Sequence, residues 1–233
     1  FSGGFEGSEL LEDISGLMKE TKAVNRWQYL CTQFNVVVIY IRLLFLPVQQ
    51  NLDYLYPFKN GFFDSYTPFA FLFLIGIATL GIWHIKKRPV ISLAIFWFFI
   101  TLSVESSIIP ISDALFEHRL YLPMFGFGLF VSYQLFHYLS NKRSLALVLS
   151  LSIIAFLGSV TYLRNMTWQD NTILWSDVVS KSPHNYRAHN NLGDALDKQG
   201  RTEEAIEHYL QALRIKPDYD HAHNNLGLAL YKQ

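Results

Sequence analysis

Between residues 67 and 164 apolar side chains follow one another almost without a break, whereas after Arg164 they return every three or four positions among charged residues. A helix rises about 1.5 Å per residue, so crossing about 30 Å of hydrocarbon takes roughly 20 apolar residues. The stretches 67–85, 90–111, 121–139 and 144–163 meet that requirement and predict membrane spans, with Glu105 the only charged residue inside them. Helices of a soluble bundle would carry a polar stripe, and these do not. A shorter apolar run, Val36 to Val48, contains Arg42 and closes near Pro47. Its length predicts an interfacial helix over 34–48, leaving 1–33 as an extracytoplasmic loop segment; a true span there, with the N-terminus in the cytoplasm, is the alternative.

The polar last third has its own period. Ala-His-Asn-Asn-Leu-Gly occurs at 188–193 and again at 222–227, a spacing of 34 residues. That is the period of the tetratricopeptide (TPR) helix-turn-helix. Leu192, Gly193, Gly200, Ala205, Tyr209, Ala212 and Pro217 fall at the positions where that unit wants small residues for close helix approach, large residues for packing, and helix ends. His189 and His223 stand where the consensus has Trp. Residues 165–185 read as a degenerate repeat, 186–219 as a full repeat and 220–233 as a partial one. The predicted fold is all-α: a polytopic transmembrane helical bundle, residues 34–164, followed by a TPR module, residues 165–233.

Charge adds orientation. Basic clusters lie at Lys86-Lys87-Arg88 and at Lys142-Arg143, two predicted spans apart, and basic short loops stay on the cytoplasmic side. The segments 49–66 and 105–120 and everything after Arg164 then fall on the opposite face, a periplasm or lumen, with the bacterial inner membrane as the expected setting. Lys plus Arg balance Asp plus Glu at 19 each, and no basic patch suggests a nucleic-acid partner. Cys31 is the only cysteine, so neither an intrachain disulfide nor a multi-cysteine metal site is expected, and no metal ligand set is predicted. The chain starts without Met and stops partway through a repeat, which reads as an internal fragment of a longer protein.

Polar groups gathered at a membrane face are the candidates for chemistry, because an ionisable residue near lipid is costly. Three clusters share the outer face: residues 49–54 with Asp53, then Glu105, then Glu117-His118-Arg119 at the start of a span. Arginine suits bidentate binding of phosphate, which a lipid-linked sugar donor presents at this depth; a snorkelling arginine beside Tyr121 is the competing reading. His118 has the chemistry of an acid, a base or a metal ligand. In the repeats, Asn191 and Asn225 occupy equivalent positions on successive first helices, next to Asn190 and Asn224. A row of side-chain amides can hold an extended peptide by its backbone, and solvated surface asparagines are the alternative.

Three segments followed by TPR repeats carry a resemblance: Tyr29-Leu30-Cys31-Thr32-Gln33-Phe34, Tyr40 to Pro47 with Asn51-Leu52-Asp53-Tyr54, and Glu117-His118-Arg119-Leu120-Tyr121-Leu122-Pro123. Together they resemble bacterial relatives of the transmembrane and TPR-repeat-containing O-mannosyltransferases, of the GT-C glycosyltransferase superfamily. The resemblance implies transfer of a sugar from a polyprenyl-phosphate donor, with no other cofactor, to a protein acceptor outside the cytoplasm. It also implies a catalytic acid in a first outer loop that lies upstream of these residues. In that reading Arg119 and Arg42 bind the lipid phosphate, Glu117, His118 and Asp53 shape the outer cavity, and the repeats recruit acceptor; Glu105 is a further donor-binding candidate, with a hydrated carboxylate at a helix end as its competing reading. His118 intervenes where eukaryotic members have Arg directly after Glu. The alternatives are a non-catalytic membrane-anchored TPR scaffold for an envelope or secretion complex, and a polysaccharide polymerase or ligase.

Overall fold

The structure, a computed structural model, describes residues 25–103 and 113–232. Its regular elements there are helices α1 (Arg26–Phe45), α2 (Thr67–His84), α3 (Pro89–Ser103), a 3-10 turn (Glu117–Leu120), α4 (Tyr121–Tyr138), α5 (Arg143–Met166), α6 (Asn171–Lys181), α7 (Tyr186–Lys198), α8 (Thr202–Ile215) and α9 (Asp220–Lys232). The described residues fall into two compact units, one of 25–48, 56–103 and 113–138, the other of 49–55 and 139–232.

In the first unit, the helix expected over 34–48 instead runs Arg26–Phe45, reaching into the segment assigned to an outer loop. Its start is set by chemistry that an apolar count overlooks. Asn25 caps the Trp27 amide at 3.1 Å while Gln28 reaches back to the Asn25 amide at 3.3 Å, a reciprocal capping box. Its end is set by Pro47, which pushes Leu46 out of the helical region. At 20 residues α1 is long and apolar enough to cross a membrane, as are α2 and α5. The apolar helix α3 is described over 15 residues, and the rest of the span expected to 111 lies outside the described residues.

Small residues decide the packing within this unit. A Cβ on Gly126 of α4 would stand 2.9 Å from the Ala94 carbonyl oxygen and 2.9 Å from the Trp97 ring of α3, so the crossing depends on a bare backbone there. Beside it the Trp97 indole donates to the Leu122 carbonyl at 2.8 Å, and its ring lies 5.5 Å from Phe125.

In the second unit, α5 is exposed along nearly its whole length, with Ala146 its one buried residue among those described. Arg164 in its last turn pairs with Asp177 of α6 at 2.6 Å, and Lys181 joins the same carboxylate at 2.7 Å. Burial works against the Asp177 carboxylate, but the two cations hold its titration below the ordinary carboxylate range. The helices α6 to α9 then form a stack of antiparallel pairs around Leu192, Leu196, Ala205, Tyr209 and Ala229, with Trp175 of α6 packed against that core. A Cβ on Gly193 would meet the Tyr209 ring at 2.6 Å, which is the close approach the repeat pattern anticipates. Gly200 ends α7 with φ +79°, a left-handed conformation suited to glycine, and the Arg201 amide closes back on the Leu196 carbonyl at 3.0 Å.

His189 explains how this repeat manages without the consensus Trp. It is buried; its Nε2 bonds the Pro183 carbonyl at 3.1 Å and its Nδ1 lies 3.1 Å from Nδ1 of His208. A proton on Nε2 leaves Nδ1 as acceptor, so His208 donates between the rings. Thirty-four residues on, His223 Nε2 repeats the contact with the Pro217 carbonyl at 2.8 Å. Imidazole thus ties the start of each first helix to the proline before it.

Candidate functional site

Polar side chains buried on α1 organise the first unit. Thr32, Gln33, Asn35 and Tyr40 are all buried on a helix that is otherwise largely apolar, and each holds another segment. The Thr32 hydroxyl accepts from the Lys59 amide at 2.8 Å, and Asn35 donates to Thr67 at the start of α2 at 2.8 Å. Gln33 donates to the Ala114 carbonyl at 3.2 Å. The Tyr40 hydroxyl donates to the Phe116 carbonyl at 2.9 Å and accepts from the Phe116 amide at 3.0 Å. The 113–120 segment is therefore clipped to α1 at two points, Ala114 and Phe116.

On that clipped segment sit the three consecutive candidates of the 3-10 turn. Arg119 is buried, at 7% exposure, and its guanidinium donates to the carbonyls of Ala114 and Asp113, both at 3.2 Å, while lying 5.2 Å from the Phe116 ring centre. It shares the Ala114 carbonyl with Gln33. His118 is exposed, its ring centre 5.0 Å from that of the same phenyl, and Glu117 is half-buried. An imidazole and a carboxylate thus stand on the same turn as a guanidinium fixed by main-chain carbonyls. The fixed charge suits binding of an anion, and the neighbouring imidazole suits proton transfer.

The other candidates are distributed differently. Arg42 is exposed in the last turn of α1. Glu105 lies outside the described residues. Asp53 belongs to the second unit, where its carboxylate pairs with Arg187 of α7 at 2.6 Å. An open groove of about 350 Å³ within the first unit runs between α1, α2 and the segment before α2, lined by Asn35, Val38, Ile39, Tyr56, Phe69 and Phe73 among others.

In the repeats the amides join one another. Asn190 is buried, donates to Asn191 at 3.4 Å and accepts from Asn225 at 3.1 Å, so a chain of side-chain amides links α7 to α9, while Asn224 is exposed. Asn191 and Asn225 stay half-buried with hydrogen-bonding capacity to spare.

Sequence reasoning did not single out Gln33, Asn35 and Tyr40 as site-building residues. The signal was present: polar residues on an apolar helix long enough to cross a membrane must find partners. It was masked because counting from Val36 left half of the helix unread.

Comparison with known proteins adds what geometry cannot. The family described as TPR repeat matches residues 193–233. Protein O-mannosyl-transferase F38B6.6 of Caenorhabditis elegans is 36% identical over 121 residues, which cover 49% of this chain and 17% of that protein. Protein O-mannosyl-transferase Tmtc3 of Drosophila melanogaster is 32% identical over 114 residues, 47% of this chain and 12% of the relative. Protein O-mannosyl-transferase TMTC3 of Mus musculus is 25% identical over 170 residues, 70% of this chain and 18% of the relative. The chain spans less than a fifth of the length of these relatives. Among the described residues the regular elements are helical and three helices are long and apolar enough to cross a membrane; with the TPR-repeat match, the chain is similar over about half its length to protein O-mannosyl-transferases.

Proposed function

We propose that this chain is the part of a multi-pass membrane glycosyltransferase that moves a sugar from a polyprenyl-phosphate carrier to a protein acceptor on the extracytoplasmic face, periplasmic in a bacterial inner membrane. The observation that carries the reading is the similarity to protein O-mannosyl-transferases. In this proposal Arg119 supplies a fixed cation for the carrier phosphate, His118 and Glu117 are its neighbours on the same turn, and Arg42 and Glu105 are further candidates for donor binding. Preorganised donors of this kind stabilise the charge that develops on a departing phosphate. The apolar groove beside α1 takes hydrocarbon of the carrier. Asn191 and Asn225, supported by Asn190 and Asn224, hold acceptor backbone in the repeats. Asp53 is paired with Arg187 within the second unit.

Membrane sidedness is supported by counting. Residues 49–55 and α6–α7 hydrogen-bond to each other, which requires one side of the bilayer. Four helices, α2 to α5, lie between them in the chain; α2 and α5 have the length and apolarity of spans, and with α3 and α4 proposed to cross as well, the even number of crossings returns the chain to the same side. The basic clusters then fall together on the other side.

The test is transfer by a purified membrane protein containing this chain together with its natural flanking sequence, reconstituted with radiolabelled polyprenyl-phosphate sugars and candidate protein acceptors. Labelled acceptor is expected, with at least a tenfold loss in Arg119→Met, a loss of about 1.4 kcal/mol or more in transition-state stabilisation. Absence of transfer by a folded preparation across a broad panel of donors would leave a repeat scaffold as the better reading.

A further inference from the structure

Residues 49–55 lie in sequence between α1 and α2, yet they pack as part of the repeat unit. Four anchors from one stretch, residues 181–187, hold them. Lys181 donates to the Gln50 carbonyl at 2.7 Å, and Asn51 donates to the Ser182 hydroxyl at 2.8 Å. Asn185, itself fully buried and capping the Ala188 amide at 3.1 Å, donates to the Asp53 carbonyl at 3.1 Å. Arg187 pairs with the Asp53 carboxylate at 2.6 Å; the two side chains are 23% and 15% exposed, so water screens the pair only in part. Two of the four bonds go to main-chain oxygens and dictate the path of the segment.

Both ends of the segment are in a left-handed conformation that L residues adopt at a cost, Gln49 at φ 57° and Leu55 at φ 38°. Such backbone persists where its surroundings over-determine it. The residue after Leu55 is Tyr56, which lines the groove beside α1.

We propose that residues 49–55 are a strained strap captured in cis by the first full repeat, that the Asp53–Arg187 pair is its lock, and that the lock controls the order of the chain from Tyr56 to Tyr66 along the α1–α2 groove. Asp53 and Arg187 are positioning residues in this scheme. They act through the strap, and the state of the repeats is transmitted to the connection that enters α2. The inference does not depend on sugar transfer, and its test is read without it.

The experiment uses the full chain in detergent micelles, with Asn51→Cys and Ser182→Cys introduced as a pair; the native Cys31 is buried and does not compete for an aqueous oxidant. The wild-type lock should give ready disulfide formation between the new cysteines. Adding Arg187→Gln should slow it by about fivefold or more, the scale of a partly buried ion pair, and should raise hydrogen exchange over residues 56–66 by a similar factor. The exchanged pair Asp53→Arg with Arg187→Asp should recover much of both, which a merely destabilised fold would not do. Unchanged cross-linking in Arg187→Gln would remove the lock. Slower cross-linking with unchanged exchange over 56–66 would remove the coupling to the groove. If Arg187→Gln fails to fold, Asp53→Asn makes the same comparison from the other partner.

Discussion

Gly193 and Tyr209 form a pair in which one side chain exists only because the other does not. Tyr209 is 2% exposed, its ring occupies the space a Cβ at 193 would claim, and burial pushes its phenol up to about 12. Gly193→Ala should therefore displace a packed ring and cost about 1–3 kcal/mol, read as a lower melting temperature with α7–α8 amides losing protection. The histidine pair makes a pH prediction. Burial lowers the tendency of His189 to take a proton, and burial with the neighbouring His189 does the same for His208, against an opposing pull from Glu204 and Glu207. Protonation would also set two N–H donors against each other across the 3.1 Å between the rings. The unfolded chain then binds protons more readily, so the pair's contribution is fully present above the ordinary histidine value of about 6.5 and is lost as pH falls below it. Melting temperatures from about pH 8 to pH 5 should drop on the acid side, and the drop should shrink in His208→Gln.

At the scale of elements, α1 shows how a few polar residues on an apolar helix dictate what surrounds it. Thr32 and Asn35 hold Lys59 and Thr67, Gln33 and Tyr40 hold the 113–120 segment, and this helix thereby sets the course of two connections in the first unit. The α3–α4 crossing is governed by the opposite device, the absence of a side chain at Gly126. Gly126→Leu should force these helices apart and cost about 1–3 kcal/mol, seen as earlier thermal aggregation in detergent, whereas the same change at Gly128, which has open space, should be nearly silent. The repeats follow the 34-residue pattern closely because it already encodes helix ends and contact sizes. The short helix predicted at 34–48 differed because caps and a proline, not hydropathy, set its limits.

At the scale of the whole molecule the proposed crossing count makes the third kind of prediction. Reporters inserted after Asn60 and after Tyr231 should answer from the same compartment, and one inserted after Asn141 from the other. Opposite answers from the first two would contradict both the even number of crossings and the strap. Glu117, His118 and Arg119 are adjacent in sequence and stay adjacent on one turn, so their grouping was legible in advance. The partner of Asp53, Arg187, lies 134 residues further along the chain, and no local spacing announces it.

The amino-acid sequence alone determined the helical class, the change from lipid-compatible to water-compatible surface near Arg164, and the repeat period, because each is a property of local spacing and composition. It also carried the likeness to the protein O-mannosyl-transferases. Tertiary structure alone decided that Arg119 is built into its turn by Ala114 and Asp113, that α1 holds that turn through Gln33 and Tyr40, and that Asp53 closes on the repeats. Those partners lie up to 134 residues apart along the chain. A hydrogen bond depends on the position of both its groups in space, and no periodicity within one segment specifies where the other will be.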